Sequence, residues 1–157
     1  MKIQDKESQA EGWRPSQREV GEFLKGMPLC SFATIAEDGS PQIARVAFSV
    51  HEGLGVLIGT DAASRKAVNV RRDPHVALEV TDADKRFTVQ YEGVATQLTD
   101  DEFAALEEEH YRQRPESAPF KDEPGQCHIL VSPAFVRFSD CNPHPWVLSE
   151  FRFTAED

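Results

Sequence analysis

Thr60-Asp61-Ala62-Ala63-Ser64-Arg65-Lys66-Ala67-Val68-Asn69-Val70-Arg71-Arg72-Asp73-Pro74 is the stretch on which the fold of this chain turns. It reads as a strand end, a short turn and a helix, with Ser64 suited to cap the helix and Asp73-Pro74 to stop it. Arg65 and Lys66 then fall in the first helical turn, where the positive end of the dipole and unpaired backbone N–H groups disfavour cations. A phosphate would turn that repulsion into attraction, because the N–H groups and both cations would converge on its oxygens. The competing reading of the same residues is a solvated basic helix paired with nearby carboxylates.

On either side of this stretch the chain alternates apolar and polar residues in the manner of strands. From Leu29 to Val80 the turns fall at Glu37-Asp38-Gly39-Ser40-Pro41 and at His51-Glu52-Gly53, which predicts two hairpins in series. A strand is expected over Gln42 to Val50, with Val46, Phe48 and Val50 on one face and Ile43, Arg45, Ala47 and Ser49 on the other. The strand Leu54 to Thr60 carries glycines at 53, 55 and 59, a sign of a bulge or of close approach to the backbone. His75 to Val80 and Arg86 to Leu98 predict two further strands. Thr99-Asp100-Asp101-Glu102 is a capping box ahead of a helix with Phe103 and Leu106 inside and Glu107 to Glu109 outside. A charged, Pro-rich loop from Arg114 to Gly125 leads to strands over Cys127 to Ser139 and Trp146 to Phe153. With a helix over Pro15 to Gly26, the expectation is a mainly β protein: six to eight antiparallel strands in a closed or partly split barrel, with three peripheral helices. Residues 1 to 13 read as a flexible leader and 14 to 157 as one domain.

The 157 residues hold 17 Lys plus Arg against 27 Asp plus Glu, a formal charge of -10, which argues against nucleic acid and anionic membranes as partners. Four of those cations, Arg65, Lys66, Arg71 and Arg72, fall between Asp61 and Asp73, a local inversion that suits a small anion. Cys30, Cys127 and Cys141 are odd in number and form no C-x-x-C pair, so a reducing compartment is expected. No apolar run is long enough for a membrane span, and a soluble, cytoplasmic protein follows as the expectation.

Several chemistries find little support. Cys127-His128 and Cys141-Asn142-Pro143-His144 offer metal-type ligands, but neighbours on a strand point to opposite faces and no paired spacing exists, so no metal site is assigned. No cysteine has a basic neighbour to activate it, and no P-loop, G-x-S-x-G or G-x-G-x-x-G occurs. His51, His75 and His110 read as turn or surface residues. No catalytic residue is assigned.

Ser64-Arg65-Lys66-Ala67-x-x-Val70-x-x-Asp73-Pro74-x-Val76-x-Leu78 resembles the signature of the pyridoxamine 5'-phosphate oxidase-like, FMN-binding split-barrel family. Gly39-Ser40-Pro41-Gln42 leading into Arg45-Val46-Ala47-Phe48 is similar to that family's second strand, Gly59-Thr60 to the strand end that meets the flavin, and Gln90-Tyr91-Glu92-Gly93-Val94-Ala95 to its V-x-G-x-A strand. The resemblance implies that Arg45, Ser64, Arg65 and Lys66 hold the FMN phosphate and that backbone at Val46, Ala47, Gly59 and Thr60 borders the isoalloxazine. It also implies a homodimer with FMN at the interface and an oxidoreductase that exchanges hydride with a small-molecule substrate or electron donor. A non-catalytic flavin, deazaflavin or haem binder, or a stress-related redox protein, is the alternative on the same fold. Two features depart from the oxidases: Thr88 stands where they carry a glutamine, with Gln90 two residues on, and their C-terminal Arg-x-His-Asp-Arg segment has no counterpart. Flavin binding is therefore expected without pyridoxamine phosphate oxidation. Trp146 could wall the flavin ring, though core packing is its favoured role.

Overall fold

Alternating burial builds the sheet. In the computed structural model, which describes residues 11–154, the strands are β1 (Leu29–Ile35), β2 (Pro41–Ala47), β3 (Ser49–His51), β4 (Gly55–Asp61), β5 (His75–Asp82), β6 (Phe87–Gln97), β7 (Gln126–Asp140) and β8 (Val147–Arg152). Val76, Leu78 and Val80 of β5 and Phe87, Val89 and Tyr91 of β6 face one core. All pairings are antiparallel, in the order β2-β1-β5-β6-β7-β4-β3, with β8 also on β7. The path begins with β2 and ends with β3, which Phe48 alone separates in the chain, so the sheet curls back toward itself as a split barrel.

Gly93 marks the bend in that sheet. The β6–β7 register slips between Glu92 and Gly93, and a Cβ on Gly93 would lie 2.5 Å from the Ser132 carbonyl oxygen. Beside it the buried Tyr91 hydroxyl donates to the carbonyls of Leu54 (2.7 Å) and Val131 (3.1 Å), tying β6 to β4's entry and to β7.

Around the sheet the described residues place the α-helices α1 (Gln17–Lys25), α2 (Arg65–Arg72), α3 (Asp100–Ala104) and α4 (Glu107–Gln113). Ser16 with Glu19 and Thr99 with Glu102 form complete capping boxes at α1 and α3. The single helix expected after Thr99 is two, parted at Ala105-Leu106, and Pro115–Phe120 in the expected loop is a 3₁₀ turn. Among the described residues no helix is long and apolar enough to cross a membrane.

Three expectations change on packing grounds. The strand predicted over Gln42 to Val50 breaks at Phe48, and Ser49, expected on Arg45's outward face, is fully buried beneath α4. Residues 1–10 of the expected leader lie outside the described residues, but Trp13 belongs to the core: its ring meets Phe138 at 5.0 Å and Phe87 at 5.3 Å, and its backbone N–H donates to the buried Asp140 carboxylate. Trp146, for which core packing was favoured, is 56 % exposed.

Candidate functional site

The start of α2 is set by local chemistry. Asp61 accepts the Ala63 N–H through its side chain (2.7 Å) and the Ser64 N–H through its carbonyl (3.0 Å), closing the turn. Ser64 is extended (φ -63°, ψ 152°), and its hydroxyl accepts the Ala67 N–H at 3.3 Å and meets the Thr60 hydroxyl at 3.1 Å. The N–H groups of Arg65 and Lys66 stand in the first turn, where helix geometry supplies no carbonyl. At the other end Arg71 donates to Gln97 and the Ala62 carbonyl, and Arg72 to the Ile35 carbonyl, as the negative end of the dipole favours.

Gln42 positions the first cation. Its Oε1 accepts from Arg65 Nε at 3.1 Å and from the buried Asn69 amide at 2.9 Å, and that amide also donates to Thr34 at 2.9 Å. Arg65 and Gln42 border a wide cleft of about 530 Å³ with Glu37 and Asp38. Arg65 and Lys66 also line a cavity of about 280 Å³ with Thr34, Gln42, Phe32 and Ala44, which no carboxylate among the described residues lines. Two cations, a hydroxyl and an amide without a counter-charge suit an anion.

The other residues singled out in the sequence distribute unevenly. Ala47, Gly59 and Thr60 come together in a second cavity, about 220 Å³, across β4 from α2. Thr60 joins the two regions through Ser64. Arg45 and Val46 line neither cavity: Val46 is half-buried against the core, while Arg45 is exposed opposite Ser31, without a hydrogen-bond or ion-pair partner among the described residues. Thr88 is occupied by its neighbours, accepting from Thr81 at 3.1 Å and donating to Glu79 at 3.3 Å, and Gln90 is exposed.

The second cavity is walled by His110, His128, Tyr111, Phe120 and Gln126, and none of its side chains is a carboxylate, lysine or arginine. His110, expected at the surface, is only 4 % exposed. Burial first, then repulsion from His128, His51 and Arg114, pushes its pKa down to about 4, and burial likewise lowers that of His128. His128 stacks on Phe103 at 3.5 Å and meets His110 edge-on. Both imidazoles are therefore neutral near pH 7.

Sequence reasoning missed Gln42, Asn69, Ser49, His110 and His128. One signal was available: His110 lies four residues after Leu106 and seven after Phe103, on the helical face already read as inward. Nothing local announced Gln42 and Asn69, which meet across 27 residues, the contact of Gln42 with Arg65 across 23, or the meeting of Ser49 with His110 across 61.

Residues 16–131 match the family model of pyridoxamine 5'-phosphate oxidase. No curated protein matches the chain. Among solved structures, a haem-binding protein from Mycobacterium smegmatis is similar at 18 % identity and a TM-score of 0.72, over 89 % of this chain and 59 % of that one. The chain thus spans under two thirds of that protein's length. A conserved hypothetical protein from Mycobacterium tuberculosis shares 26 % identity (TM-score 0.67, 79 % and 84 % covered), and a pyridoxamine 5'-phosphate oxidase-related, FMN-binding protein from Nostoc punctiforme 16 % (TM-score 0.69, 92 % and 93 %).

Proposed function

This chain belongs to the pyridoxamine 5'-phosphate oxidase-like family of FMN-binding split barrels, and from that membership we propose that it binds FMN as a cytoplasmic homodimer and acts as an oxidoreductase. The observation that carries the flavin reading is the start of α2: a hydroxyl cap and two cations in the first turn, with both cations lining the 280 Å³ cavity. That donor set fits a phosphate monoester. Ser64, Arg65 and Lys66 would hold the phosphate, Gln42 would hold Arg65 in place, and exposed Arg45 would close on it from β2. Ala47, Gly59 and Thr60, with Val46 behind them, would border the ring system, which supplies hydride acceptance and donation when bound. No charged protein group is required for that hydride step.

The purified protein should be yellow and release FMN on denaturation, and failure to bind added FMN would overturn the proposal. Anaerobic mixing of the flavin-loaded protein with NADH, NADPH or a small-molecule donor should bleach the flavin if the protein turns over.

A second reading, carriage of haem or deazaflavin without turnover, is favoured by the two imidazoles in the second cavity and by the likeness to the mycobacterial haem-binding protein. Against it, His110 Nδ1 is engaged by Ser49, and His128 is stacked on Phe103. A Soret band that appears with added haemin and shifts in His128→Ala would favour it over flavin.

A further inference from the structure

Ser49 is fully buried, and its hydroxyl bridges two imidazoles: Oγ lies 2.7 Å from His110 Nδ1 and 2.9 Å from His51 Nε2. The three residues come from two elements, β3 and α4, and meet only because α4 covers the outer face of the barrel there. The ends of this chain open on different spaces. The His110 ring lines the 220 Å³ cavity beside Ala47, Gly59 and Thr60, whereas His51 lines a groove of about 640 Å³ on the molecular surface, next to Glu52.

We infer that His110, Ser49 and His51 form a proton path between a ligand in the 220 Å³ cavity and solvent in the 640 Å³ groove. The path moves one proton and no electrons. A ligand O–H or N–H bond breaks as His110 Nε2 gains a proton. His110 Nδ1 then gives its proton to Ser49 Oγ while the hydroxyl proton passes to His51 Nε2, and His51 Nδ1 releases one to water or to Glu52. Every donor becomes an acceptor in the process, so the path is reset when a proton returns in the opposite direction. A hydroxyl between two imidazoles allows either direction, since it carries one proton and can rotate toward either ring. A path of this kind serves substrates that lose a proton together with a hydride, such as alcohols and amines, and that assignment alone rests on the proposed flavin chemistry.

The surroundings favour transit over trapping. His51 is faced by Glu109 on α4 and Lys25 on α1, and His110 by His128, Arg114 and Glu116. Burial is the main cause, and the Arg114 guanidinium offsets the one carboxylate, Glu116, so His110 holds a second proton poorly.

The test is the exchange of the His110 ring N–H with water, read by NMR on histidine-labelled protein with no flavin added, and with His128 as internal control. Ser49→Ala and His51→Phe should each slow that exchange about tenfold or more, and Ser49→Thr should restore it. A purely structural role for Ser49 predicts the opposite, since truncating a packed side chain loosens the site and speeds exchange. Unchanged or faster exchange in His51→Phe, a half-buried position expected to tolerate the change, overturns the path even if Ser49→Ala fails to fold. A colourless protein would sink the flavin reading and leave this measurement intact.

Discussion

Arg65 and Lys66 are cations at the wrong end of a helix, and Gln42 is the residue that makes Arg65's position deliberate. Replacing either cation with alanine should weaken FMN about tenfold to a hundredfold while riboflavin, which lacks the phosphate, loses little, because hydrogen bonds to charged groups contribute about 1.5–3 kcal/mol. Fluorescence titration of both ligands reads the difference, and equal losses would point to a disrupted helix. Gln42→Ala should give a smaller loss of FMN affinity, since it removes the aim of Arg65 and leaves its charge. It should also cost stability, because the buried Asn69 amide would keep only Thr34 as partner. Tyr91→Phe leaves the Leu54 and Val131 carbonyls without their donor and should destabilise by about 1–3 kcal/mol in urea unfolding.

Among the elements, α4 has the largest effect for its size. Its last residue, Gln113, offers its side-chain amide to both the N–H and the carbonyl of Val50 at 2.8 Å, pairing the free edge of β3 as a neighbouring strand would. Arg114, buried just beyond it, donates to the carbonyls of Phe48 and Met27 at 2.6 and 3.0 Å and so holds the break between β2 and β3. Burying His110 beneath this helix has a titration consequence. Its folded pKa, about 4, lies below the ordinary 6.5, so as pH falls below 6.5 the unfolded chain takes up the proton first. Stability is therefore whole above 6.5 and declines toward pH 4, and His110→Gln should flatten that part of the curve in chemical unfolding at several pH values. In the sheet itself, Gly93→Ala should be costly, since a Cβ there would sit 2.5 Å from a backbone oxygen that cannot move without shifting β7.

At the scale of the whole molecule, the proposed flavin contacts are divided between separate cavities of about 280 and 220 Å³, and β2 presents Ile43 74 % exposed beside the first. The proposed dimer, with a second copy completing the site across β2, would account for both features. Ile43→Glu should then lower dimer content and FMN affinity together, in sedimentation and in titration. Affinity falling while the dimer stays intact would separate the site from the interface. Binding at such an interface would also couple the two equilibria, so excess FMN should raise the melting temperature in a protein-concentration-dependent way.

The sequence by itself determined what depends on near neighbours. Alternation placed the strands except for the break at Phe48, Ser64 and Thr99 marked helix starts, and the signature from Ser64 to Leu78 identified the family, because caps, turns and strand faces are written within a few residues. Gly93 was legible as a motif position, although the reason for it, a carbonyl on β7, was not. Tertiary structure alone decided that Ser49 turns inward, that Gln42 reaches Arg65 and that His110 meets Ser49 across 61 residues. Those contacts exist because the sheet curls and α4 lies over its outer face, and chain closure over such distances leaves no periodic mark on the sequence.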